Sequence, residues 1–312
     1  MQRTKILNIL PKSIGGRLTM SSIIEGLRQN GYFVEVFDDL YDTNFNFKNG
    51  YDLVFGYDFD AIRIKKQHEM SIPSINYFSD EIRSKTSGEG WDIYLDELSK
   101  NDNYTFYWDR ELIKNEPFKN IFYLPHFINP EIYKDITAPT NDVMFAGRLD
   151  TDYRLNMITS LVEELPEINF EWYAINRHFE DALSRSQNKD LIKKIYKGFI
   201  DNEKDMAIAI NKSKIVINMN SQGKSSLNYR TFQTVACKRL LISDYRSELD
   251  LFKNNLPYYK DKADLKEKIK FYLNNEKEYA KITEVCQAIC YKHHNSKDGT
   301  KFMLEKIQPT KD

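Results

Sequence analysis

Cysteine is scarce in this chain. Cys237, Cys286 and Cys290 are the only three among 312 residues. So small and odd a number excludes a disulfide framework, and a chain of this length buries real cores without one. Cys286 and Cys290 stand one helical turn apart, with His293 and His294 close behind. One short helix does not wrap four ligands around a tetrahedral ion, so no metal site is expected there. Charge of one sign is also lacking: Lys+Arg is 45 and Asp+Glu is 46, a formal charge of -1. Bulk charge therefore gives no reason to expect nucleic-acid or anionic-membrane binding. No apolar run approaches the ~20 residues that span a bilayer. Met1–Leu10 carries charge early and has no apolar signal core. A soluble, cytoplasmic protein is the expectation. Walker, G-x-G-x-x-G, G-x-S-x-G, H-E-x-x-H and kinase signatures are missing, as are internal repeats and low-complexity segments. His68 stands alone in a polar stretch.

What is present is an ordinary globular mixture, 41% hydrophobic and 29% charged, with 20 Tyr and 19 Phe. Short apolar runs bounded by turn residues read as buried strands at Ile6–Leu10, Phe33–Phe37, Leu53–Phe55, Ser74–Phe78, Thr105–Trp108 and Ile121–Leu124. Leu18, Ile23, Ile24 and Leu27 recur at helical spacing, and Gly31 closes that helix. The stretch Asp135–Asn141 breaks the pattern and reads as a linker. The alternation then restarts. Strands are expected at Val143–Phe145, Phe170–Ile175, Ile195–Phe199, Ile215–Met219 and Leu240–Ser243, with helices at Leu155–Leu165, Asp205–Ile210, Tyr229–Ala236, Ala263–Leu273 and Lys277–Tyr291. Strands alternating with helices imply parallel sheets with right-handed crossovers. The expected class is α/β, two Rossmann-like units facing a cleft: residues 1–137, residues 138–292, and a C-terminal helix in 293–312 crossing back to the first unit.

In such sheets ligands gather at the carboxyl ends of strands. Gly15 and Gly16 follow the first strand and either admit an anion to a helix N-terminus or form a plain turn. Gly147 and Arg148 follow the first strand of the second unit, where glycine permits close approach and arginine offers a bidentate fork for phosphate. Asn220 and Lys224 lie in the polar loop after Met219. Asn228, Tyr229, Arg230 and Thr231 would open the next helix, whose free N–H groups aim at the loop mouth. Arg230 there opposes the helix dipole, a conflict expected at functional sites, unless it is an exposed surface residue. Asp244 follows a strand to the same mouth, or caps a turn. In the first unit, Asp80 is the candidate general base or a helix N-cap, with Asp109 a weaker acidic candidate. His126 follows the last strand as a sugar or phosphate contact, or as a polar hinge residue. Asp150-Thr151-Asp152 has the spacing of a metal clamp but reads as helix capping.

The run Asn228-Tyr229-Arg230-Thr231-Phe232-Gln233-Thr234-Val235-Ala236-Cys237, followed by Leu240–Ser243, Asp244, Glu248-Leu249 and Leu251-Phe252, resembles the C-terminal half of CgeB-like (spore-maturation-type) glycosyltransferases. That family reads roughly N-x-R-x-F-E-x-x-A-C-G, a hydrophobic strand, T/S-D, then E-L-x-x-L-F. Phe145-Ala146-Gly147-Arg148 is similar to the donor-side glycine turn of related enzymes. The resemblance covers roughly residues 143–305. It implies a GT-B arrangement with the nucleotide-sugar bound mainly by the second unit and Arg230 on its diphosphate. It also places Gln233 where relatives carry a glutamate that accepts from the ribose hydroxyls, and Lys238 where they carry glycine. Ser225 stands where the first acid of an E-x7-E pattern would be, so retention of configuration gains no support.

The expected activity is transfer of a sugar from a nucleotide-diphosphate donor, UDP- or GDP-linked, to an acceptor hydroxyl. Catalysis would fall to Arg230 and Asp80, with no metal and no tightly bound cofactor. The acceptor is open among glycan, lipid, protein and modified nucleic acid. A non-catalytic nucleotide- or sugar-binding module, kept open by Gln233 and Lys238, and a nucleotide-sugar epimerase of the same fold are the alternatives. A periplasmic-type sugar-binding protein is disfavoured by the missing signal peptide.

Overall fold

The structure is a computed structural model that describes residues 4–42, 44–79, 96–114, 116, 119–221 and 223–307. The chain divides into two compact units. The first comprises Met1–Asn129, Gln222–Tyr229 and His293–Asp312, and the second Pro130–Ser221 and Arg230–Lys292. Among the described residues no helix is long and apolar enough to cross a membrane.

The first unit is built on six parallel strands, β1 (Lys5–Leu10), β2 (Phe33–Asp38), β3 (Leu53–Tyr57), β4 (Ser74–Phe78), β5 (Asn103–Tyr107) and β6 (Ile121–Tyr123), in the order β2-β1-β3-β4-β5-β6. Parallel strands buried on both faces need near-continuous apolar runs, and β1 has one. Ile6 packs with Met20, Leu27, Phe55 and Tyr77 on one side. Leu7 and Ile9 pack with Val54, Ala61 and Ile64 on the other. Ser13 caps helix Ile14–Gln29, its hydroxyl accepting from Gly16 N at 3.3 Å. The helix thus begins earlier than its apolar spacing suggested, and Gly15 and Gly16 lie in its first turn rather than in a loop. β3 runs through Gly56 rather than ending there. A Cβ on Gly56 would lie 3.0 Å from Ala61 Cα and closer still to its nitrogen, so glycine lets helix Asp60–Gln67 settle on the strand. The final helix, Ser296–Ile307, packs on helix Ile14–Gln29 and sends Met303 and Leu304 into the core.

The second unit has five parallel strands, β7 (Asn141–Ala146), β8 (Phe170–Tyr173), β9 (Ser213–Asn218), β10 (Leu240–Asp244) and β11 (Tyr258–Tyr259), ordered β11-β10-β9-β7-β8. Its core gathers Val143, Phe145, Ile158, Leu161, Trp172, Ile215, Ile217 and Ile242. The expected strand Ile195–Phe199 does not form. Ile195 instead closes helix Lys189–Ile195, where Asn188 caps the N-terminus and Ile192 and Ile195 share the buried face at helical spacing. Tyr196 meets the sheet through a single parallel bridge to Trp172. Helix Asn176–Arg185 likewise stands where no helix was expected. The segment after Pro130 is fastened to this unit. Arg239 donates to Asp135 Oδ1 at 2.9 Å, to the Thr137 carbonyl and to Asn211 O at 3.0 Å, and Ile136 N donates to Asn211 Oδ1 at 3.1 Å.

Candidate functional site

In the second unit the carboxyl ends of β7, β9 and β10 are tied into one polar edge. Gly147 leaves β7 in a turn fixed at both ends: its N–H donates to Tyr173 O at 3.0 Å, and its carbonyl accepts from Trp172 Nε1 at 2.9 Å. A Cβ at Gly147 would press on the Phe145 ring at 3.1 Å. The Arg148 side chain is half exposed, with Nε 3.3 Å from Asp150 Oδ2. Asn220 N and Nδ2 both donate to Asp244 Oδ1, at 2.9 and 2.8 Å, joining the ends of β9 and β10. Arg246 closes that link, Nε to Asp244 Oδ2 at 3.3 Å and Nη2 to Asn220 O at 3.3 Å. Asn220 and Asp244 are therefore members of a hydrogen-bonded frame.

Arg246 escaped the sequence reading, and so did a buried arginine of this edge. Arg154, on helix Asp152–Glu164, is almost wholly buried and donates to Met219 O at 2.7 Å, Arg148 O at 3.3 Å and Asp150 Oδ1 at 3.3 Å. Its guanidinium bridges the turns after β7 and β9. The signal was available: Arg154 sits in phase with Met157, Ile158 and Leu161, on the apolar face of its helix. Thr151 caps the same helix by accepting from Arg154 N at 3.2 Å. Asp150 pairs with Arg148 and Arg154, and Asp152 pairs with Arg185 at 3.0 Å. Both acids are thus engaged by arginines.

Helix Tyr229–Ala236 carries another basic candidate, Arg230. Phe232, Val235 and Ala236 are buried, and so are the polar Thr231, Gln233 and Thr234. Arg230, in the first turn, donates from Nη1 to Gln233 Oε1 at 2.7 Å, and Gln233 Nε2 in turn donates to the buried Tyr133 hydroxyl. Gln233 is thus occupied in holding Arg230. Burial pushes the Tyr133 phenol well above its ordinary pKa, so it stays protonated.

In the first unit, the loop before this helix is gripped by a carboxylate. Asp109 is fully buried just after β5. Its Oδ1 accepts from Glu111 N and Leu112 N, both at 2.9 Å, and from Ser225 Oγ at 2.8 Å. Its Oδ2 accepts from Lys224 N, Ser225 N and Ser226 N at 2.7, 2.9 and 3.1 Å. Burial alone would raise its pKa, but the hydrogen bonds from Leu112, Ser225 and Lys224 win and hold it at about 2. The group is depressed in the folded state, so its contribution is complete above the unfolded value near 3.9 and fades as pH falls from about 5 to about 2. The expected result is an acid-side loss of about 2–3 kcal/mol in urea-unfolding free energy that the Asp109→Asn variant lacks.

His126 is buried, its Nδ1 3.1 Å from the Tyr77 hydroxyl, and burial lowers its pKa to about 3. The ring is neutral and brings no charge to a phosphate. Tyr229 lies beside it, ring centroids 5.6 Å apart, with its hydroxyl 2.8 Å from Ser22 Oγ. Gly15 has open space around its Cβ position, while a Cβ at Gly16 would strike Pro11, Ser13 and Tyr57, so Gly16 serves packing. Lys224 is exposed and Asn228 half-buried. Asp80 lies outside the described residues.

Residues 154–305 match the family described as glycosyl transferase-like. No curated protein matches the chain by sequence. Solved structures with the same fold include the Anabaena protein HepE in complex with UDP and glucose (TM-score 0.74, 13% identity, covering 98% of this chain and 99% of that one). Sucrose-phosphate synthase from Thermosynechococcus elongatus is another (TM-score 0.70, 11% identity, 97% and 98%). A third is an alpha-glucosyltransferase in complex with UDP and a 13-mer DNA containing an HMU base (TM-score 0.72, 14% identity, 98% and 100%). At such identities the likeness establishes architecture: two parallel-sheet Rossmann-like domains of the GT-B class.

Proposed function

We propose that this chain transfers a sugar from a nucleoside-diphosphate donor to an acceptor hydroxyl, with UDP as the favoured donor nucleotide. The observation that carries the reading is Arg230. It is a cation in the first turn of a helix, against the dipole, steadied by a buried glutamine that is itself anchored on a buried tyrosine. A protein that spends buried polar groups on aiming a cation at a helix start is prepared for an anion. The family matched by residues 154–305, and the UDP and UDP-glucose held by the structurally similar HepE, support the choice of ligand.

In this reading the acceptor oxygen forms a bond to the anomeric carbon as the bond from that carbon to the β-phosphate oxygen breaks. The proton passes to a base, for which Asp80 of the first unit is the proposed residue. UDP departs with its charge met by Arg230, by Arg148 and by the N–H groups of the helix start, donors fixed before the charge develops. No metal clamp is required, and the capture of Asp150 and Asp152 by arginines supports that. The acceptor is proposed only as a hydroxyl-bearing glycan, lipid, protein or modified nucleic acid.

The test is a thermal-shift panel of UDP-, GDP-, ADP- and CMP-sugars, followed by assay of UDP release with and without candidate acceptors. A donor at 100 times its dissociation constant is expected to add about 2.7 kcal/mol of stability. Binding with no release under any acceptor would favour the non-catalytic module, product formed without acceptor would favour an epimerase, and no binding at all would end the reading.

A further inference from the structure

Among the described residues of the second unit, the exposed large aromatic side chains are Tyr153, Phe199, Tyr245, Tyr258 and Phe271. Single exposed rings are ordinary on a protein surface, whereas gathered ones mark a place where something binds. Tyr245 and Tyr258 are gathered. Tyr258 opens β11 opposite Ser243, and Tyr245 directly follows β10. Their rings lie 5.1 Å apart between centroids and stand at 65°, so the two form the walls of a corner. Tyr245 is 61% exposed and Tyr258 38%. Tyr153, in the first turn of helix Asp152–Glu164, is 60% exposed. Burial, then the carboxylates of Asp244 and Asp261, raise the pKa of its phenol, which sets that hydroxyl toward the same end of β10. The backbone beneath the corner is fixed. Asp244 is tied to Asn220 and Arg246, and Ser243 N donates to Pro257 O at 3.2 Å.

We propose that Tyr245 and Tyr258, with Tyr153 beside them, form a binding site for a neutral glycan chain. A pyranose has an apolar face of C–H bonds and a rim of hydroxyls. The negative face of an aromatic ring attracts such polarised C–H bonds, and tyrosine supplies the contact area with little rotamer freedom to lose. Hydroxyls at the rim need acceptors. Asp261 is exposed and spends Oδ1 on Asp264 N at 2.9 Å, which leaves Oδ2 for a donor from outside. Charge then selects among occupants. A phosphate backbone or an anionic bilayer is held by clustered free cations, and a cationic ligand by free carboxylates. Here Asp244 is paired with Arg246 at 3.3 Å and Lys262 with Glu164 at 2.7 Å, so those charges are spent within the protein. Ring faces and a hydroxyl acceptor remain, the combination a neutral sugar uses. The inference stands apart from the donor reading. Where that reading holds, it selects glycan among the open acceptor classes.

The experiment is native-gel affinity electrophoresis of the full chain through soluble starch, galactomannan and mixed-linkage β-glucan. Phosphatidylglycerol vesicles and tetramethylammonium are tested in parallel. At least one of the three polysaccharides is expected to retard the wild-type chain. Tyr245→Ala and Tyr258→Ala are each expected to raise its Kd by about fivefold or more, the loss of one ring contact. Tyr245→Phe keeps the ring face and is expected to stay within about twofold of wild type. Phe271→Ala removes an exposed ring near the far end of helix Lys262–Asn274 and is likewise expected to change the Kd by less than about twofold. No retardation by any of the polysaccharides overturns the proposal. So does retardation that persists in the Tyr245→Ala/Tyr258→Ala double variant, or a loss shared equally by Phe271→Ala. Binding confined to the vesicles or to tetramethylammonium overturns it as well. Failure of the wild-type chain to bind UDP ends the donor reading and leaves the glycan site standing.

Discussion

Replacing Arg230 with alanine is expected to lower kcat/KM for the nucleotide-sugar by 10²–10³-fold and to abolish the thermal shift produced by UDP. Removal of one preorganised donor from a site of developing negative charge typically costs about 2.7–4 kcal/mol, and Arg230 has the marks of preorganisation. Its Nη1 rests on Gln233 Oε1 at 2.7 Å, and Gln233, buried, is held by Tyr133. The unliganded protein should respond in a different proportion. Loss of a cation that opposes the helix dipole returns roughly 0.3–1 kcal/mol. The acceptor left on buried Gln233 costs about 1–3 kcal/mol. Apo stability is therefore expected to fall by only about 1–2 kcal/mol while ligand-induced stabilisation disappears. Arg230→Lys keeps the charge but not the planar fork, and should retain an intermediate affinity. Calorimetric UDP titration alongside urea unfolding of the three proteins separates these effects. A variant that unfolds easily yet binds UDP normally would remove Arg230 from the donor site.

The architecture was legible where burial dictates composition. Both faces of the parallel sheets are covered, so their strands had to be apolar runs, and β1, β4, β9 and β10 stand within a residue or two of the sequence reading. Legibility failed where short apolar pieces fit two periods. Ile195 and Tyr196 look like a strand in isolation. Ile192 one turn earlier and the cap at Asn188 make a helix of the same letters. Lys238 is instructive in another way. The resembling family carries glycine there, and the structure shows why: the residue has φ +56°, so a lysine occupies a turn that favours a residue without Cβ.

The candidate site was half legible. The basic and glycine positions after β7 and β9 follow from the rule that strand carboxyl ends hold ligands. The residues that hold those positions in place do not. Asp109 meets its loop across 115 residues of sequence, and nothing local to Trp108-Asp109-Arg110 announces the partner. Arg154 was disguised as one more charged residue near a helix start, although its phase on the helix marks it as buried. At Gln233, where the resemblance places a ribose contact, the two polar atoms of the side chain meet Arg230 and Tyr133.

Helix Ile14–Gln29 offers a second large effect, in which one substitution takes opposite signs at two glycines. Gly26 lies where the final helix crosses. A Cβ there would come within 2.7 Å of Ser296 C and Thr300 Oγ1, and nearer to the Ser296 carbonyl oxygen. Two of these atoms are backbone, so relief requires the helices to separate. Separation strains Asn30 Nδ2, which now donates to Lys297 O at 2.8 Å and Thr300 Oγ1 at 2.9 Å, and Ser296 N, which donates to Ile128 O at 2.8 Å. Overpacking costs about 1–3 kcal/mol, and each weakened hydrogen bond adds about 1 kcal/mol. The intrinsic gain of alanine over glycine in a helix is only about 1 kcal/mol. Gly26→Ala is therefore expected to destabilise by about 2–4 kcal/mol. At Gly15, in the first turn of the same helix, nothing lies within 4 Å of the Cβ position. There the propensity term stands alone, and Gly15→Ala is expected to stabilise by up to about 1 kcal/mol. Urea unfolding of the two variants against the parent reads both signs. Equal, small effects at the two positions would mean that the last helix does not press on Gly26 as the structure has it.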